Sequence, residues 1–222
     1  MNWIGELQKK DFRGGPSQFG ESEIIAYIFK HIQPTNKWAV DIGAGFYGHG
    51  EMSNTKQLIE QGWRVIRVDA NNDDDNTIFK LYITPDNILP FLESLNVPFQ
   101  FDLLTIDIDS FDLDILEKVV PAYLPSVICT EYNGTLDPSL SVKLKYEPGY
   151  IWDETNKYGY SFGAAIRFCY KYGYCIILNH LNQNLFLVRK DLIPNDIELP
   201  ELTIQQQNYH PVNPDAEWEV YV

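Results

Sequence analysis

The chain is short of positive charge, of sulfur and of long apolar runs. Seventeen Lys and Arg stand against 31 Asp and Glu, for a formal net charge of −14. So acidic a surface repels polyanions, which excludes nucleic acid and anionic membrane surfaces as default partners. The most basic stretches, "KLKYEP" and "RFCYKY", are too sparse to form a patch against that background. Only three cysteines occur (Cys129, Cys169, Cys175), with no C-x-x-C pair. An odd, scattered set argues against a disulfide framework and fits a reducing compartment, with all three expected as buried, inert thiols. The opening "MNWIGELQKKDF" has no apolar signal core, and no run approaches transmembrane length. The expectation is a soluble, cytoplasmic protein whose 222 residues form one domain with a substantial core. Repeats and low-complexity blocks are also lacking.

What is plentiful is aromatic: 14 Tyr and 12 Phe. Such an excess serves core and rim packing, or a stacking face for a sugar or base. Along the chain, strands and helices alternate by pattern. "SEIIAYIFKHI" has helical spacing and lies in an N-terminal helical segment, 1–37. "KWAVDI", "WRVIRVDA", "TIFKLYI", "FDLLTIDID" and "PSVICTEYN" read as five strands. The stretches "SNTKQLIEQG" (with Ser53 or Asn54 as N-cap and Gly62 as stop), "TPDNILPFLESL", "DLDILEKVV" and "SFGAAIRFCYKYG" read as helices. "NNDDDN" is a solvated turn, short of the spacing of a calcium loop. Residues 134–160 read as a long irregular insertion. "YCIILNH" and "NLFLVRK" form a hairpin, and 193–222 an irregular tail tied down by Tyr209, Trp218 and Tyr221. Alternation of this kind gives an α/β fold with a doubly wound, mostly parallel seven-stranded sheet ending in a C-terminal antiparallel hairpin. Ligands then bind at the carboxyl ends of the strands, just after Ile42, Val68, Ile106 and Thr130.

"AVDIGAGFYGHG" lies at the first of those ends. Gly43, Gly45 and Gly48 match G-x-G-x-x-G, which literally reads as a dinucleotide loop. Charge argues otherwise. Asp41 stands just ahead of the glycines, where it would repel a pyrophosphate held on a helix N-terminus. S-adenosylmethionine carries a sulfonium and an ammonium group instead, and a carboxylate attracts both. The next helix also starts late, near Ser53. Asp69, at the end of the second strand, suits ribose hydroxyls in either cofactor. The terminal hairpin is the architecture of common S-adenosylmethionine methyltransferases. A third reading has Asp41 and the glycines merely shaping a turn.

The blocks "SQFGESEIIAYIF", "DIGAGFYGHGEMSNTKQLIEQGW", "ITPDNI", "FDLLTIDIDSFDLDI", "EYN" and "FGAAI…GY…LFLVRKDL" resemble, in order, those of FkbM-like class I methyltransferases over most of residues 17–192. The resemblance implies a Rossmann-like fold and S-adenosylmethionine as cofactor. It implies a cofactor set of Asp41, Gly43, Ala44, Gly45, Asp69, Ala70, Thr84 and Asp107. The glycine usual after the second aspartate is Ser110 here, and the helix between the second and third strands is nearly lost.

A second acidic group follows the fourth and fifth strands. Asp107 and Asp109, two apart on a strand, share a face. Glu131 and Asn133 end the neighbouring strand. Three carboxylates together raise each other's pKa values unless paired. One explanation is a hard divalent ion, Mg²⁺ or Mn²⁺, held by Asp107, Asp109 and Glu131 and lowering the pKa of an acceptor hydroxyl. That layout resembles metal-dependent O-methyltransferases. Another is direct general-base work by Asp109 or Glu131. A third is purely structural, with Asp107 or Asp109 capping the next helix and Asp112 facing solvent. His180 ends the sixth strand, where it could act as a base. His49 reads as a surface loop residue, and His31 and His210 show no partners. Glu21 reads as an ordinary helix start, in a segment that could fold over the cofactor with Gln18. Tyr146, Tyr150, Trp152, Tyr158 and Tyr160 crowd the insertion, as an acceptor-pocket wall or a satellite core. The functional expectation is methyl transfer to a hydroxyl of a glycan or other small polar acceptor. The rivals are a nicotinamide-dependent oxidoreductase and a non-catalytic binding module.

Overall fold

The structure is a computed structural model that describes residues 2–45, 53–71, 77–199 and 201–222. Among the described residues, six α-helices and nine strands follow in chain order. They are α1 (Trp3–Leu7), α2 (Glu21–His31), β1 (Trp38–Ile42), α3 (Lys56–Glu60), β2 (Arg64–Asp69), β3 (Phe79–Lys80), α4 (Ile88–Ser94), β4 (Leu103–Ile106), α5 (Asp112–Tyr123), β5 (Val127–Glu131), β6 (Val142–Leu144), α6 (Phe162–Tyr172), β7 (Tyr174–His180), β8 (Asn184–Arg189) and β9 (Trp218–Val220).

Seven strands form one sheet in the order β3-β2-β1-β4-β5-β8-β7, a Rossmann-like α/β arrangement. The first five run parallel, while β8 lies antiparallel between β5 and β7. The central parallel strands β1, β4 and β5 are buried on both faces and therefore read as almost continuous apolar runs. Alternation still sorts their side chains. Val40, Ile42, Leu104 and Ile106 face α4, α5 and α6 in one core layer. Ala39 and Leu103 face α1, α2 and α3 in the other. Asp41 and Thr105, paired in register, point to that second side as well.

Local chemistry sets the helix ends. Glu21 and Glu23 begin α2, and Lys30 and His31 end it, in the sense that complements the helix dipole. Ser161 caps α6 by accepting from the Ala164 N–H, and Gly173 ends it in the left-handed conformation. The expected cap of α3 is different. Thr55 holds the N-cap position without a side-chain cap bond, because its hydroxyl and that of Ser53 donate to Asp41 instead.

Three sequence expectations need correction. The third strand is two residues long, since Leu81–Asn87 leave the sheet for a turn in which the Thr84 N–H donates to Asn87 and the Asn87 N–H to Thr84. The insertion is not wholly irregular. Its β6 pairs antiparallel with β9 from the tail, and Leu144, Phe111 and Tyr150 form a small core of their own. Cys175 is only half-buried, unlike Cys129 and Cys169. No helix among the described residues is long and apolar enough to cross a membrane. The third fingerprint glycine, Gly48, with His49 and most of "NNDDDN", lies outside the described residues.

Asp102, just ahead of β4, is a buried acid with a wholly structural task. It accepts backbone N–H bonds from Thr35, Asn36 and Lys37, which turn the chain into β1. Asp102→Asn puts an amide N–H against those donors. The expected loss is about 2–3 kcal/mol, since hydrogen bonds to a charged acceptor are the strong ones. Urea denaturation measures it, and a change under about 1 kcal/mol would show that the turn holds without the charge.

Candidate functional site

Register builds the site. Ile42 pairs with Val68 and with Ile106, and Ile106 pairs with Thr130. The next residues, Gly43, Asp69, Asp107 and Glu131, are therefore neighbours at the carboxyl edge of the sheet. The approach is closest at Gly43. A Cβ there would stand 1.7 Å from the Asp107 carbonyl oxygen, and its φ is +81°. Only glycine satisfies both conditions. Its N–H, with that of Ala44, donates to the Val68 carbonyl, so the loop leaves β1 pinned to β2.

The acids at this edge fall into two kinds. Asp41 is 2% exposed and its carboxylate accepts from the hydroxyls of Ser53 (2.7 Å), Thr55 (2.6 Å) and Thr105. It closes the glycine loop by binding the residues on which the chain returns. Asp69 accepts from the N–H groups of Gly45 (3.1 Å) and Asn71 (2.7 Å). Asp112 accepts from Ile108 and Ser110, folding the β4–α5 loop back on itself. It is buried, contrary to the structural reading that placed it in solvent.

Asp107, Asp109 and Glu131 are the other kind. They each offer a carboxylate oxygen, and these lie within 4.8 Å of one another. Strand alternation is not what joins them, because β4 ends at Ile106. Asp109 instead adopts a left-handed φ of +52°, which turns its side chain back toward Asp107. Asp107 and Glu131 are pushed well above the usual carboxylate range, by burial first and then by neighbouring acids. Asp109 is raised by burial, while His210 draws it down and Asp69 pushes it up. Unit charges roughly 5 Å apart repel by about 3 kcal/mol at an effective dielectric of ~20.

Two buried polar side-chain atoms lack a hydrogen-bond partner among the described residues, Glu131 Oε2 and the Tyr158 hydroxyl. Tyr158 is 1% exposed, and burial and then the charges of Glu131, Asp109 and Asp107 raise its pKa, so the phenol stays protonated. Buried polar groups are ordinarily satisfied. Two unpartnered buried atoms near an acidic cluster depart from that rule.

Other expected residues are placed elsewhere. His180 Nε2 bonds the Phe19 carbonyl at 2.8 Å. Ala44 is buried, Ala70 is exposed after β2, and the Thr84 hydroxyl serves its turn. Asn133 does not join the cluster. Its amide donates to the carbonyls of Asn156 and Tyr158, and its oxygen accepts from Thr135. It ties the insertion to β5. Glu21 is buried and receives Asn184 and the Phe19 N–H, and its charge reaches Asp107. The insertion aromatics divide. Tyr146 and Tyr150 pack on Phe111, and Tyr160 enters the main core. Trp152 and Tyr158 surround His210, at 5.0 and 5.7 Å between ring centres.

His210 is the residue that sequence reasoning missed. The tail brings it in. Gln207 N–H donates to the Gly134 carbonyl, the Tyr209 hydroxyl to Leu181, and the Pro211 carbonyl accepts from Asn156. No spacing rule connects residue 210 with residue 109. The clue available was a histidine beside a tyrosine in a tail otherwise poor in helix and strand pattern.

The edge acids make stability depend on pH. Burial raises Asp112 to about 7 against the pull of its backbone bonds. A folded-state acid with a raised pKa holds a proton that the unfolded chain has released. Stability is therefore lost as pH rises through about 7. In buffer with chelator, lowering the pH from 8 to 6 should add about 1 kcal/mol from Asp112 alone. That corresponds to roughly 2–4 °C in melting temperature for a chain of this length. The acids with lowered pKa values, Glu117, Asp137, Asp153 and Glu217, titrate below this window. An unchanged or lower melting temperature at pH 6 would mean that the edge acids are ionised in the native state.

No family model matches the chain and no curated protein matches it, so the functional reading stands on the Rossmann-like sheet and the geometry of its carboxyl edge.

Proposed function

We propose that the protein is an S-adenosylmethionine-dependent O-methyltransferase of the FkbM-like type, acting on a hydroxyl of a carbohydrate or other small polar acceptor. The observation that carries this reading is electrostatic. A glycine turn opens onto an edge where Asp69, Asp107, Asp109 and Glu131 gather. A pyrophosphate would meet carboxylates there. A sulfonium and an ammonium group would meet attractive charge.

In this reading Gly43 and Gly45 let the backbone approach the methionine portion. Asp41 fixes the two ends of their loop, and its charge still reaches Asp107. Asp69 receives the ribose hydroxyls. The methyl donor is already activated, so the protein has two tasks. It must align the nucleophile with methyl carbon and sulfur, and it must take a proton from the acceptor hydroxyl. Glu131 and Asp109 would take the second task, both carboxyls being raised above the usual range by burial and neighbouring acids. Trp152, half-buried and packed edge-on to Tyr158, offers flat apolar surface nearby, suited to a sugar face.

Calorimetry with S-adenosylhomocysteine, S-adenosylmethionine and NAD⁺ tests the proposal. Micromolar binding of both adenosyl compounds and none of NAD⁺ is expected. Asp69→Asn should weaken the adenosyl compounds about tenfold or more, the cost of one charged hydrogen-bond acceptor. Binding of NAD⁺ alone would establish the oxidoreductase reading of the glycine fingerprint.

A further inference from the structure

We infer that the groove between α2, the segment 10–12 and the start of α3 binds a small dianion carrying a flat ring, the chemistry of an aryl or heteroaryl phosphomonoester. None of the residues that line it belongs to the carboxyl edge of the sheet, so the inference is independent of the methyl-transfer reading.

The groove has a volume of about 450 Å³, within the range of small-molecule sites. Helical spacing builds one wall. Glu23, Ala26, Tyr27 and Lys30 stand at i, i+3, i+4 and i+7 on α2, and the small side chain of Ala26 leaves a hollow among longer ones. Lys10 and Phe12 line it from the preceding segment, and Gln57 from α3. Phe12 is buried and meets the half-buried Tyr27 ring edge-on at 6.2 Å, so the lining includes aromatic surface. Charge then selects the ligand. Lys10 and Lys30 are exposed, and neither has an ion pair among the described residues. The Lys10 Nζ lies over the Tyr27 ring, 5.1 Å from its centre, a contact that leaves its N–H groups free to donate. The two acids of the groove have other partners. Asp11 pairs with Arg13 at 2.8 Å, and Glu23 accepts from the Gly14 N–H at 3.3 Å. Two unpaired ammonium groups therefore share one groove with an aromatic surface. A phosphomonoester answers both features. It carries close to two negative charges near neutral pH, and lysine binds phosphate as a point charge. Its ring covers the aromatic lining. The net charge of −14 repels polyanions, but distant charges are screened beyond a Debye length, and a small anion responds to the lysines beside it.

The test is calorimetric titration of the full chain with phenyl phosphate at pH 7.5 and about 20 mM salt, where surface charges are least screened. Saturable one-to-one binding is expected. Lys10→Gln and Lys30→Gln should each weaken it about fivefold or more, the loss of one charged hydrogen-bond donor. Both positions are exposed, so the variants should melt with the parent. Lys118→Gln, on α5 across the sheet, should bind as the parent does. Glu23→Gln removes a repelling charge, keeps an acceptor for Gly14, and should tighten binding. Methyl phosphate, without the ring, and benzoate, with a single charge, should both bind more weakly than phenyl phosphate. Absence of saturable binding overturns the inference. So does an equal effect of Lys10→Gln, Lys30→Gln and Lys118→Gln, which would place the anion on lysines at large. Equal binding of methyl and phenyl phosphate would overturn the part played by the aromatic lining, and equal binding of benzoate the choice of a dianion. S-adenosylhomocysteine is titrated separately, so failure of the cofactor reading and failure of this site are distinct results.

Discussion

Negative charge gathered at one end of the sheet is the constraint around which this protein is organised. The charges are put there by register, and register is fixed by core packing that has nothing to do with them. Once Val40, Ile42, Leu104 and Ile106 share one layer and β1, β4 and β5 run in step, the residues after their ends must meet. The close passage of Gly43 past the Asp107 carbonyl holds the ends of β1 and β4 together. Repulsion is met by raising pKa values and by helix α5, whose positive end lies just beyond the acid loop.

Covering this edge draws on parts of the chain that are distant in sequence. The N-terminal segment reaches it through Glu21, bonded to Asn184 on β8, and through Phe19, whose carbonyl holds His180. The insertion reaches it through Tyr158, anchored by Asn133. The tail reaches it through His210 and is secured further on, where β9 pairs with β6 and the Tyr221 hydroxyl donates to Glu117. Lys143 on β6 joins Asp114 of α5 to Glu219 of β9, so insertion, tail and helix are held together by one cation. A wall assembled in this way can vary without altering the sheet.

The sheet was legible in the sequence because its signals are periodic and strong. Parallel strands announce themselves as buried apolar runs, and β7 spans the residues that the pattern picked out. The edge position of Asp69, Asp107 and Glu131 followed from topology alone. What was not legible depended on contacts across the chain. Whether an acid faces a ligand or a neighbouring hydroxyl cannot be read from its spacing, and Asp41 shows the difficulty. Its place ahead of the glycines suggested a direct partner for a cation, yet Ser53, Thr55 and Thr105 fill its oxygens. The left-handed turn at Asp109 gives no pattern, because aspartate occupies that conformation without a glycine to mark it. Short strands β6 and β9 were missed for want of length, β3 is shorter than its pattern suggested, and the pairing of β6 with β9 closes a gap too long for any local rule.

Hydrogen-bond accounting then separates acids that build from acids that act. Five carboxylates near the edge or beneath the sheet have donors assigned to them: Asp41 by hydroxyls, Asp69, Asp102 and Asp112 by backbone N–H groups, and Glu21 by an amide and a backbone N–H. Each fixes a loop, and its charge is offset by the donors that surround it. Asp107, Asp109 and Glu131 accept no hydrogen bond from the described residues that would do the same. The fold therefore provides donors for buried carboxylates wherever the carboxylate's task is structural. It leaves three without donors at the end of the sheet where ligands of α/β proteins bind. Burial and mutual repulsion raise the pKa values of those three, so protonation relieves the repulsion between them. The Tyr158 hydroxyl, buried near them, likewise has no partner among the described residues.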